Sequence, residues 1–140
     1  DDFVGGCLWT NFGNNPLAEL DSFRKISDYN MIVNWTIDKT KQVFHDHMER
    51  IFASPKKLVV THFPPSLQAV EERFKTDSLT RFFANDLDER ILKSDKKLWI
   101  FGHNHSNWDF KIGDCRLVSN QVGYPYEEAK NPFKMKVIDI

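Results

Sequence analysis

The sequence predicts an α/β fold, a layered β-sheet with flanking helices, built by residues 1–140 as a single domain. Three observations predict it. Leu58-Val59-Val60 and Leu98-Trp99-Ile100-Phe101 are short continuous apolar runs, the pattern of strands covered on both faces in layered α/β proteins. Segments with apolar residues at helical spacing stand before and between them. Two alternating runs meet at Gly113-Asp114 and read as a β-hairpin. Strand, helix, strand, helix, strand, hairpin, strand is the order of a layered α/β protein.

From the N-terminus, Phe3 to Thr10 reads as a short buried strand carrying Gly5 and Gly6, and the turn-rich Asn11 to Pro16 as a loop. Pro16 suits a first helical turn, and Leu17, Leu20 and Phe23 follow at the spacing of one apolar helix face. Thr36 is an N-cap candidate, with Asp38 in the first turn where a negative charge suits the helix dipole. From there to Phe52, residues Val43, Phe44, Met48, Ile51 and Phe52 share a face, and Ser54-Pro55 ends the helix. Lys57 to Thr61 is a β-branched strand. Pro65 to Phe74 and Phe82 to Leu92 read as two further helices, the second with Phe83, Leu87 and Ile91 in i, i+4 steps. Leu98 to Phe101 is the next strand, and Trp108 to Ile112 and Arg116 to Ser119 are the hairpin arms. Met135 to Ile140 is expected as a last strand.

Composition excludes several classes. Nineteen Lys and Arg against twenty Asp and Glu leave a net charge of −1, so charge offers no case for nucleic-acid binding. The 41% hydrophobic and 28% charged residues are those of a globular chain, and twelve Phe and four Trp supply large units of buried area. Leu98 to Phe101 is far short of the roughly 20 apolar residues of a membrane span. Cys7 and Cys115 cannot build a disulfide framework; they read as buried free thiols and lean towards a cytoplasmic protein. Residue 1 is Asp, with no signal-peptide pattern after it, so the chain is expected to be processed or to continue upstream.

The chemistry gathers at strand ends, where α/β folds place their sites. The run Leu58 to Thr61 delivers His62, with Phe63-Pro64-Pro65-Ser66 stiffening the loop behind it; Leu98 to Phe101 delivers Gly102-His103-Asn104-His105. Neutral imidazole is the commonest side-chain metal ligand. One histidine after a strand is more often a hydrogen-bonded core or surface residue, but three, two of them as His-x-His, favour metal. The Gly before them is expected to let backbone pack closely. His45 and His47 stand at i, i+2 on a helix, point to different faces and read as surface and helix-flank residues.

Val59-Val60-Thr61-His62-Phe63-Pro64-Pro65-Ser66 together with Phe101-Gly102-His103-Asn104-His105 resembles the calcineurin-like metallophosphoesterases. Leu8 to Phe12, Phe83 to Leu87 and Ser119 to Pro125 extend the resemblance, to a bacterial-type branch, along nearly the whole chain. Gly-His-x-His alone is moderately specific; joined to the upstream Thr-His-x-x-Pro-Ser it is strong. The resemblance implies a hydrolase of phosphate mono- or diesters with two divalent ions (Mn, Fe, Zn or Co) on a four-layered αββα sandwich. By position, His62 and His103 would ligate one metal and His105 the other, while Asn120, Gly123 and Tyr124 would shape the substrate pocket. No catalytic proton donor is assigned.

The same resemblance implies an N-terminal half holding Asp-x-His, Gly-Asp-x-x-Asp and Gly-Asn-His-Asp/Glu, which would carry the bridging carboxylate, an Asn ligand and the histidine that protonates the leaving group. None of these occurs in the sequence. Physical chemistry agrees, because two divalent ions about 3.5–4 Å apart need anionic ligands that three neutral imidazoles do not bring. The nearby Asp109 and Asp114 belong to the hairpin. The chain is therefore expected to be the C-terminal half of a metallophosphoesterase domain, inactive alone and completed by an N-terminal segment or a second chain. The alternative is a non-catalytic binding module with a structural or one-metal three-histidine site. Substrate identity is not legible, since no Arg cluster or aromatic platform stands beside the histidines in the sequence.

Overall fold

The computed structural model describes residues 2–128 and 133–138, with the backbone alone at 127 and 128. Five strands form one mixed sheet: β1 (Phe3–Gly6), β2 (Leu58–Thr61), β3 (Leu98–Ile100), β4 (Asp109–Ile112) and β5 (Cys115–Val118). Their spatial order is β1-β2-β3-β5-β4. The first four in that order run parallel, and β4 is the antiparallel arm of the hairpin with β5. Among the described residues the helices are α1 (Pro16–Lys25), α2 (Asp28–Met31), α3 (Ile37–Ala53), α4 (Thr80–Phe83), α5 (Asp88–Leu92) and α6 (Pro125–Glu128). The chain is thus α/β, with helices flanking a sheet, and none of its described helices is long and apolar enough to cross a membrane.

Local chemistry explains the elements that match expectation. The Thr36 side chain accepts from the Lys39 N–H and opens α3, and Asn15 caps α1 with Pro16 at its first position. Gly113, at φ +56°, turns the β4–β5 hairpin in the left-handed conformation such a turn requires. Gly5 is fixed by space instead, because a Cβ there would lie 2.1 Å from the Val60 carbonyl oxygen across the β1–β2 ladder. Val59, Trp99 and Leu117, register partners on one face of the sheet, join Phe44, Ile51 and Phe82 in one core cluster. Val60 on the other face of β2 is exposed, so β2 is not covered on both faces, contrary to expectation. Trp99 is fully buried and its indole N–H donates to Thr61 Oγ1 at 2.9 Å.

Several expectations are corrected. The first strand stops at Gly6 rather than running to Thr10, because Leu8 and Trp9 take left-handed φ values of 74° and 55°. Helix α1 exists, but it buries Ala18 and Ser22 and leaves Leu17, Leu20 and Phe23 exposed, because its small-residue side is the one seated towards α4. The segment 65–74 is not a helix but two 3-10 turns, Leu67–Ala69 and Glu72–Phe74, the first opened by the Ser66 side chain on the Gln68 N–H.

The stretch 82–92 is broken into α4 and α5, because the Asn85 and Leu87 N–H groups bond to Pro64 O and Pro65 O at 3.0 Å each instead of continuing a helix. Residues 135–138 form no strand, and Val137 is 80% exposed; positions 139 and 140 lie outside the described residues. His45 is exposed as expected, but His47 is half-buried, its Nδ1 accepting the Leu8 N–H at 3.1 Å while burial lowers its pKa. Beyond expectation, Lys96 is fully buried, its ammonium donating to Ser54 O at 2.5 Å and Lys56 O at 2.9 Å behind α3. The two cysteines are free thiols, Cys115 buried and Cys7 partly so, and burial raises the pKa of both.

Candidate functional site

The parallel strands β1, β2 and β3 bring their C-terminal ends to one edge of the sheet. Beyond β2, the His62 and Phe63 N–H groups bond to Gly6 O and Cys7 O at 3.3 and 3.0 Å, extending the ladder towards β1. On its other side the Gly102 N–H donates to His62 O at 2.9 Å. Thr61 Oγ1 donates to Phe63 O at 2.8 Å, tying the turn to the Trp99 indole that it also accepts from. Backbone pairing therefore joins the two histidine loops. Gly102 is not needed for close packing, contrary to expectation, since a Cβ there would meet His62 O at an ordinary 3.6 Å.

His62 Nε2 and His103 Nδ1 lie 3.1 Å apart. The His103 ring is stacked between Phe63, 3.9 Å away at 27°, and Phe83, 5.2 Å away at 24°, with Phe82 edge-on. Burial pushes the His103 pKa down to about 3, and the neighbouring His62 and His105 add to the shift. His62 is lowered as well, first by burial and then by His105. Both rings are neutral near pH 7, the state in which imidazole ligates a metal. His103 Nε2 is buried and has no hydrogen-bond partner among the described residues.

His105 lies in the same cleft, edge-on to Tyr124 with ring centroids 4.5 Å apart. This cleft, of ≈ 640 Å³, is also lined by Glu71, Arg73, Phe83 and Ser106. His103 and His105 both adopt positive φ, 74° and 55°. A left-handed non-glycine costs about 1–3 kcal/mol and persists only where its surroundings impose it. Gln121, from the loop after β5, provides that imposition. Its Oε1 accepts the His105 N–H at 3.0 Å, and its Nε2 donates to Asn104 Oδ1 at 2.9 Å and Ser106 O at 2.8 Å. Three such bonds at about 0.5–1.5 kcal/mol net each are of the same order as the strain. Asn104 also donates to Ala69 O, and the Ser106 hydroxyl donates to Glu71 Oε1 at 2.5 Å, tying the loop to the far cleft wall. Glu71 is held below its usual range first by Ser106 and then by Arg73, whose Nε donates to it at 2.7 Å.

No protein-family model, no curated protein and no solved structure matches this chain. The structure joins His62 directly to His103 and sets His105 with Tyr124 in the same cleft. Among the described residues no group of three or more His, Cys, Asp or Glu side chains is arranged to hold a metal ion. Asn120 turns away, donating to Lys134 O at 3.0 Å, and Gly123 makes a left-handed bend at φ 74° before Tyr124. Asp109 is held by Arg116 at 2.8 Å and Lys136 at 2.7 Å, and Asp114 by Lys97 at 2.8 Å. Both carboxylates are held below their usual range by these partners, and neither lines the cleft.

Sequence reasoning missed Gln121, Glu71, Arg73, Ser106 and the aromatic bed of Phe63 and Phe83. No local pattern distinguishes Gln121 or Glu71, because their partners lie 15–17 and 35 positions away. Phe83 reads as a core residue of a helix, and only the break after α4 leaves it against His103. Arg73 and Phe83 come from segments remote from the histidines, which is why the linear neighbourhood shows neither. Phe63 follows His62 directly, but its stacking on His103 is a contact across the fold.

Proposed function

We propose that this chain contributes the histidine ligands of a metal-dependent phosphoesterase of the calcineurin-like family, a hydrolase of phosphate mono- or diesters, and is the C-terminal half of its αββα sandwich. The observation that carries this reading is the 3.1 Å approach of His62 Nε2 to His103 Nδ1 at the ends of adjacent parallel strands. Two nitrogens bound at about 2.0–2.1 Å to one tetrahedral ion stand about 3.3 Å apart, so the pair fits two corners of such a site. The donor chemistry fits Zn, Mn, Fe or Co alike. A second ion does not fit these residues alone, since no carboxylate joins the pair among the described residues. The remaining ligands are assigned to an N-terminal segment or a second chain.

A bound divalent ion supplies Lewis-acid activation of the phosphate ester. The chain's own residues do the rest of the local work. Phe63 and Phe83 exclude water from His103 and keep it neutral, and the backbone bond from Gly102 to His62 O fixes the spacing of the two rings. Arg73 brings a guanidinium to the cleft for phosphate oxygens. Tyr124 walls the His105 side. The free thiols of Cys7 and Cys115 support a cytoplasmic location.

The test is hydrolysis of bis(p-nitrophenyl) phosphate by the complete gene product with added Mn²⁺. Turnover is expected, falling at least about 100-fold in His62→Ala and His103→Ala. The rival is a non-catalytic module with a structural or one-metal three-histidine site, which needs no carboxylate beside His62 and His103, and among the described residues none joins them. No turnover with any of Mn, Fe, Zn or Co would establish that rival instead.

A further inference from the structure

We propose that Gln121 is the positioning residue of the metal site, a side chain that touches neither metal nor substrate but sets the His103-Asn104-His105 loop in ligating shape. The inference rests on the reading of these histidines as metal ligands. Its grounds are geometric. The loop carries two histidines in the left-handed region separated by one residue, and neither is a glycine that adopts this freely. The Gln121 amide reaches all three residues after His103: the His105 N–H, Asn104 Oδ1 and the Ser106 carbonyl. Its own N–H donates to Asn107 Oδ1 at 2.7 Å, so Gln121 is held by the loop it holds.

The amide is used at both ends, and this makes the residue type specific. Oε1 faces a donor and Nε2 faces two acceptors. Glutamate would keep the contact to the His105 N–H but would turn a carboxylate oxygen towards the Asn104 and Ser106 oxygens. Leucine would keep most of the volume and lose every bond. Asn104 carries the constraint onward to Ala69 O, so the loop is anchored to the turn that follows the His62 loop as well. Partners that orient ligands in this way typically account for 10–100-fold in metal affinity or activity.

The test compares wild-type chain, Gln121→Leu and Gln121→Glu by calorimetric titration with Zn²⁺ alone, by thermal melting, and by hydrogen exchange of the His105 amide without metal. The expected result is a 10–100-fold weaker Zn²⁺ affinity in Gln121→Leu with the cooperative melt retained. An intermediate loss is expected in Gln121→Glu, and His105 exchange should quicken in both variants. Should Gln121→Leu fail to fold, Gln121→Glu carries the comparison. Unchanged Zn²⁺ affinity in a folded variant would overturn the proposal. If the wild-type chain binds no Zn²⁺, the metal reading of the site fails, and the exchange arm then decides alone. Faster exchange at His105 would keep Gln121 as the positioner of the loop; unchanged exchange would overturn that role as well.

Discussion

His103 owes its charge state chiefly to burial, with His62 and His105 adding to it. With Phe63 and Phe83 against its faces, its pKa falls to about 3. The consequence for stability has a definite sign. The unfolded chain takes up a proton at this position near pH 6.5, whereas the folded chain does not until near pH 3, so stability is full above 6.5 and declines as pH falls between those values. From pH 7 to pH 5 the metal-free chain should lose about 2 kcal/mol at this residue, at about 1.4 kcal/mol per pH unit below 6.5. Urea unfolding at the two pH values checks this, with His103→Phe as the comparison. The phenylalanine preserves the aromatic stack and should lack that part of the loss. An equal acid loss in both proteins would show that the ring is not held neutral by its burial.

At the scale of elements, strands were the most legible feature. Val59, Val60, Trp99 and Ile100 announce β2 and β3 as short apolar runs, although the two faces are unequally covered: Val59 and Trp99 are fully buried while Val60 is exposed. Thr36 and Pro16 announce helix starts because their chemistry is local. What stayed hidden was decided by distant partners. The break between α4 and α5 depends on Pro64 and Pro65 taking bonds from Asn85 and Leu87 some twenty residues on, which no window over 82–92 contains. The seating of α1 on Ala18 and Ser22 is equally non-local. His62, His103 and His105 stood out as candidates because each follows a strand, yet Gln121 and Glu71 did not, because their side chains act across the fold.

A glycine contrast tests the element-level account. Gly5→Ala places a Cβ 2.1 Å from Val60 O and should cost at least about 2 kcal/mol by separating β1 from β2. Gly102→Ala meets only an ordinary contact and should cost less than about 1 kcal/mol, despite its place beside the histidines. Chemical denaturation of the two variants compares them; equal losses would contradict the packing described for β1.

For the molecule as a whole, the sheet brings together His62 and His103, 41 positions apart, through the pairing of β2 with β3. It also leaves the acidic residues of the hairpin engaged with Arg116, Lys136 and Lys97, remote from that pair. On this account the chain is a partial metal site on an α/β scaffold, competent to bind one ion through histidine nitrogen and dependent on further ligands for phosphoester hydrolysis. The most direct measurement is ¹⁵N NMR of the five histidine rings during titration of the chain with Zn²⁺. The account predicts that the ring nitrogens of His62 and His103 shift together and saturate at one equivalent, while His45 and His47 stay in place. Shifts confined to His45 or His47, or none at His62 and His103 up to a large excess of metal, would contradict it.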